Sequence, residues 1–283
     1  MNLLEYLRGR PKPKERKIDP SVHRDLKPGW LWPYLTRGDE VTWGRWQYWL
    51  YVAQYTAEHD CLPPEPIPQI ELEEPYQGTP RGEVMKMLEH CMEAIAPSWQ
   101  GWSSWDVFEY FLQWLLYGMD PTGRHAPPRR DFDGASDRLY QVFNLDLMLL
   151  WPSDYWGAMF AESRIGRHVG FYPTPHTVCD AMAKMAIDPG DHRLESACDP
   201  ALGTGRLMLF ASNYCLSLSG QDINPLCALA AEVNAWMYAP WMAMPLRWVE
   251  AKIMERHQHS ELEPLAIGRR MNLQVDRGQE VLL

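Results

Sequence analysis

The segment that most constrains the fold lies between residues 194 and 222. A short apolar run, Leu194 to Cys198, suits a β-strand, and the turn Asp199-Pro200-Ala201-Leu202-Gly203-Thr204-Gly205 follows it. Residues 206 to 215 suit a helix that buries one apolar side. Glycines permit a tight turn and let backbone N–H groups at a helix N-terminus approach a ligand. Strand, acid, glycine turn and helix in this order predict a cradle of the nucleotide-binding type.

A second acid strengthens this interpretation. The run Leu216 to Ser219 suits a second strand, and Gly220-Gln221-Asp222 follows it. Asp222 lies 23 residues after Asp199, which is about the spacing at which an acid after the second strand meets ribose hydroxyls. We therefore predict an α/β fold in which these two strands are parallel neighbours.

The same residues carry a family resemblance. The motif Asp199-Pro200-Ala201-x-Gly203-Thr204-Gly205 resembles the S-adenosylmethionine motif of adenine-specific DNA methyltransferases. It is most similar to the modification subunits of type I restriction-modification systems. The segment Gly170-Phe171-Tyr172-Pro173-Thr174-Pro175 resembles the part of that family that lies against the methionine end of the cofactor. Gly220-Gln221-Asp222-Ile223-Asn224, with Asn234 behind it, resembles the family's second cofactor motif.

The resemblance covers Asp154 to Asn234, under a third of the chain. It begins with Asp154-x-x-Gly157-x-x-Phe160-x-Glu162, which is similar to the helical segment that precedes the Thr-Pro motif in that family. Leu202 replaces the usual Cys and Pro173 replaces an aromatic residue. We expect both departures to perturb the pocket without abolishing it.

The resemblance implies S-adenosylmethionine as cofactor and assigns roles to single residues. Asp222 would accept the ribose hydroxyls, Ile223 would cover the adenine, and Asp199 would face the ammonium of the methionine part. The candidate cofactor-binding residues are Tyr172, Thr174, Pro175, Asp199, Pro200, Ala201, Gly203, Thr204, Gly205, Asp222 and Ile223. Taken singly, each has a structural alternative: a turn cap for Asp199, a solvated acid for Asp222, a helix start for Thr174-Pro175.

The base-accepting motif of the family is missing. Methylation of adenine requires acceptors for the amine hydrogens and an aromatic side chain that stacks on the flipped base. In the resembled family an Asp/Asn-Pro-Pro-aromatic tetrad supplies these groups, and no such tetrad occurs in this sequence. We assign no catalytic residue. We also expect the 61 residues after Asp222 to be too few for a complete seven-stranded sheet.

Three regions are predicted along the chain. Residues 1–39 form a basic, irregular N-terminal arm, in which Arg8 to Lys17 hold six cations against one acid. Residues 40–165 form an all-helical domain, because apolar residues there recur at three- and four-residue steps. Residues 166–283 form an incomplete, Rossmann-like cofactor-binding domain. The family resemblance implies that this domain contains part of a methyltransferase sheet.

Several helices are predicted with a specific apolar face. Trp43, Trp46, Leu50, Ala53 and Ala57 share one face of the first long helix, and Thr79-Pro80 is a good start signal for the next. Gly118 is expected to end a third helix. After Thr174-Pro175, a helix carries Val178, Ala181, Met182 and Met185 on one face, and Asn224-Pro225 is expected to open another helix. The fourteen tryptophans favour core packing over a stacking platform for bases.

Composition limits the partners and the compartment. No apolar run approaches a membrane span, so we expect a cytoplasmic protein that binds no membrane. Six dispersed cysteines are typical of reduced thiols. The net charge of −10 predicts weak binding to DNA by the chain alone. His257-Gln258-His259 lacks a third ligand at suitable spacing, so we expect no metal site.

Two functions are carried forward. The first is an S-adenosylmethionine-binding, DNA adenine methyltransferase-like protein, inactive alone or completed by a partner chain with the missing catalytic and recognition parts. The alternative is a non-enzymatic protein-interaction module of a restriction or mobile-element system, with a relic or sensing cofactor site.

Overall fold

A computed structural model of the chain describes residues 26–36, 43–96, 105–128, 132–162, 171–186 and 190–259. The basic arm around Arg8 to Lys17 lies outside the described residues, as does Gly170 of the Thr-Pro segment. The elements before residue 165 are α1 (Trp32–Leu35), α2 (Trp43–His59), α3 (Pro80–Ile95), α4 (Trp105–Met119), α5 (Ala135–Val142), α6 (Leu145–Leu150) and α7 (Tyr155–Glu162). Those after it are α8 (His176–Ala186), β1 (Ser196–Asp199), α9 (Arg206–Ala211), β2 (Ser217–Gly220), α10 (Pro225–Tyr238), α11 (Pro240–Ala243) and α12 (Arg247–His259).

The two strands form one small parallel sheet. Ser196 pairs with Ser217 and Asp199 with Gly220, so both strands end at the same edge. The predicted parallel pairing is confirmed, with each strand ending one residue later than expected. The described chain is therefore mixed helix and sheet, mostly helical, with a two-stranded parallel sheet.

Local sequence signals begin two of the predicted helices. The Thr79 side chain accepts a hydrogen bond from the Gly82 N–H, and Pro80 occupies the first turn of α3. Asn224 does the same for α10 through the Leu226 N–H. These caps satisfy N–H groups that have no partner inside the helix. Both helix starts are confirmed.

The buried face of α2 differs from the prediction. Leu50 is 47% exposed, whereas Trp46 and Val52 are buried. The buried ring of Trp46 stacks on Trp236 of α10 and donates its indole N–H to the Trp236 carbonyl at 2.9 Å. Contacts distant in sequence therefore selected this face. Gly118 does not end α4 either, since the helix runs to Met119. A Cβ at Gly118 would lie 2.8 Å from side-chain atoms of Trp30 and Leu31.

One hydrophobic core runs through the helical part and the region around the sheet. Helix α4 packs along α10, and α3 packs on α5. Five tryptophans are almost fully buried, which confirms core packing for them. They are Trp46, Trp114, Trp156, Trp236 and Trp241. Contacts thus cross the predicted boundary near residue 165, and the division into domains stays a prediction.

The acidic, proline-rich segment from Cys61 to Thr79, before α3, is irregular and is attached to the region around the sheet. The Ile70 N–H donates to the Asn213 side-chain oxygen at 3.0 Å, and the Asn213 amide donates back to the Ile70 carbonyl at 3.1 Å. Gln69 adds a bond to the Asn213 carbonyl at 2.7 Å. This segment therefore runs across the end of α9.

Helix α8 presents the predicted apolar face to solvent. Val178 is 44% exposed, Met182 46% and Met185 85%, while His176, Cys179 and Ala183 are buried. The small residues Cys179 and Ala183 face inward because α8 packs against α9. The expectation that apolar spacing marks the inner face is wrong for this helix.

Two further observations concern the surface and the thiols. In the described ranges, no helix is both long and apolar enough to cross a membrane. All six cysteines are free thiols, and Cys61 and Cys198 are exposed.

Candidate functional site

The turn between β1 and α9 is built on two glycines with left-handed backbone. Gly203 has φ +54° and Gly205 has φ +82°, a conformation that L side chains rarely adopt. The Gly205 N–H donates to the Leu202 carbonyl at 2.9 Å, and α9 begins at the next residue. A Cβ at Gly203 would lie 3.2 Å from Phe171 Cε2. The turn is therefore compact and specific for glycine.

The two predicted acids lie at the strand ends and hold the turn. Asp199 Oδ1 accepts the Ala201 N–H at 2.9 Å. Asp222 Oδ2 accepts the Gly203 N–H at 2.8 Å, and its Oδ1 accepts the Asn224 N–H at 2.8 Å. Asp222 thus joins the end of β2 to the glycine turn of β1. Each carboxylate oxygen keeps a second lone pair, so the acids retain acceptor capacity.

Backbone bonds extend the contact between the two strand ends. The Gln221 N–H donates to the Asp199 carbonyl at 3.0 Å, and the Leu202 N–H donates to the Gln221 carbonyl at 2.9 Å. The sheet pairing therefore continues one step into the turn. As a result, the two acids are set in a fixed relation before any ligand binds.

Several predicted site residues form an exposed outer side. Tyr172 is 85% exposed and Ile223 is 102% exposed. Pro200 and Ala201 of the turn are exposed, as are Thr174 and Pro175 at the start of α8. Large apolar side chains left in solvent contribute little to folding. Their positions after β2 and before α8 leave them open to a ligand.

Thr204 faces the interior instead. It is 2% exposed, and its hydroxyl donates to Asp154 Oδ2 at 2.6 Å. Arg206 Nε donates to the same oxygen at 2.9 Å. Asp154 Oδ1 accepts the Asn234 side-chain amide at 2.9 Å and the Gly157 N–H at 2.9 Å. Asp154, fully buried, is the centre of a polar cluster under the glycine turn.

The cluster reaches the segment before α3 through a histidine. His176 Nδ1 lies 2.6 Å from Glu74 Oε1, and the Asp154 N–H donates to His176 Nε2 at 3.4 Å. An Nε2 that accepts the Asp154 N–H carries no proton, so this geometry fits a neutral imidazole protonated on Nδ1. Arg206 also donates to Glu74 Oε1 at 3.4 Å and to the Thr174 carbonyl at 2.8 Å. We call Asp154, Thr204, Arg206, Asn234, His176 and Glu74 the buried polar cluster.

The electrostatics of the buried polar cluster favour an ionised pair and a neutral imidazole. Burial alone would raise the pKa of Asp154, but Arg206 and three hydrogen bonds, from Thr204, Gly157 and Asn234, hold this pKa below its usual value. Burial opposes ionisation of Glu74 as well, yet His176 and Arg206 lower its pKa. Burial, together with Arg206, lowers the pKa of His176. The cluster thus holds two carboxylates, one guanidinium and an uncharged histidine.

The sequence analysis missed most of this cluster. Asp154 and Asn234 appeared only as parts of the family resemblance. Glu74 and His176 carried no signal, because the contacts of the cluster join positions 22 to 132 residues apart. For Arg206 the available hint was its position directly after Gly203-x-Gly205. An Arg buried at a helix start requires an acidic partner for its charge.

A cleft elsewhere on the molecule lies away from the predicted site residues. A cleft of about 430 Å³ opens beside Pro64, Gln69, His192 and Asn213, and none of the predicted site residues lines it. Among the described residues, no group of three or more His, Cys, Asp or Glu side chains could hold a metal ion. The glycine turn, with its outer acids and exposed apolar residues, is therefore the candidate site.

Comparison with known proteins adds no relative: no family model, no curated protein and no solved structure matches this chain.

Proposed function

We propose that the protein binds S-adenosylmethionine at the outer side of the glycine turn, as a DNA adenine methyltransferase-like protein. The observation that carries the proposal is the joint geometry of the turn. Strand β1 ends at Asp199, Asp222 follows the end of β2 by two residues, and the left-handed Gly203 donates its N–H to Asp222. In this proposal β1, α9 and β2 form the first part of a Rossmann-like methyltransferase domain.

The residues present fit the cofactor. Asp222 has spare acceptor capacity for ribose hydroxyls, and the exposed Ile223 would cover the adenine. Asp199 would receive the ammonium group, and Tyr172, Thr174 and Pro175 would enclose the methionine end. When bound, S-adenosylmethionine supplies a methyl group on a sulfonium centre. The chain itself would bind and orient the cofactor.

The transfer to DNA requires groups that this sequence lacks. The absent Asp/Asn-Pro-Pro-aromatic tetrad would orient the adenine amine and stack on the base. We propose that the protein is inactive alone and that a partner chain completes it. The acidic net charge of −10 agrees with weak binding to DNA by the isolated chain.

Calorimetric titration with S-adenosylmethionine tests the cofactor site. We expect Ile223→Ser to weaken binding roughly tenfold to a hundredfold, because covering an isoleucine side chain contributes about 1.5–3 kcal/mol. Met254→Ser, which changes a 44% exposed apolar residue of α12, is the matched control and should bind like the wild type. No heat at millimolar ligand, or equal affinity for Ile223→Ser and wild type, would contradict the proposal.

Transfer of labelled methyl groups to DNA tests the dependence on a partner. We expect no incorporation by the purified chain and incorporation into adenine once a completing polypeptide is added. Incorporation by the purified chain alone, abolished by Gly203→Val, would overturn this part and point to an unconventional base pocket.

One observation favours the alternative, an interaction module with a relic site. Asp199, Thr204 and Asp222 all have partners within the chain, so folding alone accounts for these three residues. Folding does not account for the exposed side chains of Ile223 and Tyr172, and these two residues favour the first proposal. The titration with Ile223→Ser separates a binding site from a relic, and the methyl-transfer assay with a partner separates an enzyme from a module that only senses the cofactor.

A further inference from the structure

The first turn of α8 is bonded to a carboxylate from a distant segment. Glu74, which precedes α3, accepts the His176 backbone N–H on its Oε1 at 3.0 Å. The same oxygen lies 2.6 Å from His176 Nδ1. N–H groups in the first turn of a helix have no partner inside the helix, and a negative charge there is favourable. Glu74 therefore fixes this helix start from outside the helix.

Arg206 joins the same helix start to the glycine turn. It is the first residue of α9, directly after Gly205, and it is 6% exposed. Its Nη1 donates to the Thr174 carbonyl at 2.8 Å and to Glu74 Oε1 at 3.4 Å. Its Nε donates to Asp154 Oδ2 at 2.9 Å. Because the guanidinium is planar and its donors point in fixed directions, one rigid group sets the position of the Thr174 backbone relative to the turn.

The backbone held in this way carries the exposed residues before α8. Thr174 and Pro175 are exposed, whereas the next residue, His176, is buried. The same segment passes close to the turn, since a Cβ at Gly203 would lie 3.2 Å from Phe171 Cε2. Arg206 and Glu74 thus act from the inner side on residues that face the outer side.

The ribose side of the proposed cofactor site is held by different bonds. Asp222 accepts the N–H groups of Gly203 and Asn224, each at 2.8 Å. Replacing Arg206 or Glu74 removes neither of these bonds. The two ends of the site can therefore be perturbed separately.

We propose that Arg206 and Glu74 are positioning residues for the methionine end of the S-adenosylmethionine site. The inference rests on the proposed function. Both residues act through the Thr174 carbonyl and the start of α8, which they hold against the glycine turn. Without them, Thr174 and Pro175 would no longer enclose the amino-acid part of the cofactor, and the hold on ribose and adenine would remain.

Two ligands separate the ends of the site in calorimetric titrations of the full chain. S-adenosylhomocysteine and methylthioadenosine share adenine, ribose and a thioether sulfur, and only the first carries the amino-acid part. Arg206→Lys keeps a cation beside Asp154 but loses the planar set of donors. We expect this variant to bind S-adenosylhomocysteine about tenfold to a hundredfold more weakly and methylthioadenosine within about twofold of the wild type.

Arg193→Lys is the matched control for this replacement. Arg193 Nη1 donates to the carbonyls of Pro63 and Glu65 at 2.7 and 2.8 Å, so it also joins the segment before α3 to a distant part of the chain. It borders the cleft that none of the predicted site residues lines. We expect it to bind both ligands like the wild type.

Glu74→Ala tests the same support without a change in the glycine turn. We expect about tenfold weaker binding of S-adenosylhomocysteine, unchanged binding of methylthioadenosine, and faster amide exchange at His176, whose N–H loses its acceptor. Glu73→Ala removes the adjacent carboxylate, which pairs with Arg81 at 2.6 Å, and should change none of these readouts.

The outcomes distinguish this inference from the proposed function. If Arg206→Lys weakens both ligands equally, general damage to the turn explains the loss, and the inference is overturned while the cofactor site stands. Wild-type affinity of Glu74→Ala for S-adenosylhomocysteine would also overturn it, and this result decides if Arg206→Lys does not fold. If the wild type binds neither ligand, the proposed function fails and the inference fails with it.

Discussion

The inner side of the glycine turn is buried and hydrogen-bonded, whereas the outer side is exposed to solvent. On the inner side, Thr204 and Arg206 bond to Asp154, which is fully buried. On the outer side, Tyr172 and Ile223 stand in solvent, with 85% and 102% exposure. Folding explains the inner residues, since a buried charge requires partners. It does not explain exposed apolar residues beside a preformed turn, and this difference directs attention to a ligand on the outer side.

The largest expected effect comes from breaking the inner side at its centre. Asp154→Ala leaves the Arg206 cation buried without its closest carboxylate, and losing one partner of a buried pair costs about 3–5 kcal/mol. Urea unfolding measures the loss. Asp180→Ala removes the exposed pair with Lys184 on α8 and should leave the midpoint unchanged. Equal midpoints for the two variants would refute the central role of Asp154.

Removing one hydrogen bond of the inner side should cause a smaller loss of stability. Thr204→Val keeps the shape of the side chain and removes the hydroxyl that donates to Asp154. Hydrogen bonds to charged groups contribute about 1.5–3 kcal/mol, so we expect a loss in that range. Thr204→Ser keeps the donor and should be destabilised less. If Ser is worse than Val, packing of the methyl group outweighs the bond.

The pH dependence of stability tests the neutral histidine. The pKa of His176 lies below its ordinary 6.5 in the fold, so the unfolded chain takes up a proton that the folded chain does not. Stability should therefore fall as the pH drops below about 6.5, with a slope of up to about 1.4 kcal/mol per pH unit from this residue. The lowered pKa values of Glu74 and Asp154 remove further stability at more acidic pH.

Unfolding midpoints between pH 7.5 and 5 measure this slope. His176→Asn should flatten the profile in that window, because the proton-binding difference disappears with the imidazole. His90→Gln, an exposed position of α3, should leave the slope as in the wild type. A slope that persists in His176→Asn would assign the effect to another group.

The smallest expected change in stability is on the outer side. Replacing Tyr172 and Ile223 together by Ser should leave the melting temperature unchanged, because both side chains are exposed. Ile253→Ser, the same replacement at a residue that is 7% exposed, should lower it clearly. A large loss in the Tyr172/Ile223 variant would mean that these residues pack in solution, and the contrast between the two sides would fail.

Local sequence determined the elements whose signals lie within a few residues. The caps at Thr79 and Asn224, the glycine turn and the parallel strands ending near Asp199 and Asp222 could all be predicted from the sequence. Side-chain caps and left-handed glycines act over two to four residues. Their physical cause is therefore contained in the segment itself.

Tertiary structure alone decided which face each helix buries and which polar residues meet. Leu50 and Met182 have the spacing of core residues and are exposed, because Trp236 and α9 contact other faces of their helices. Glu74, His176 and Arg206 come together across more than a hundred residues. Burial of a charge depends on partners supplied by distant segments, so no local pattern in the sequence contains that information.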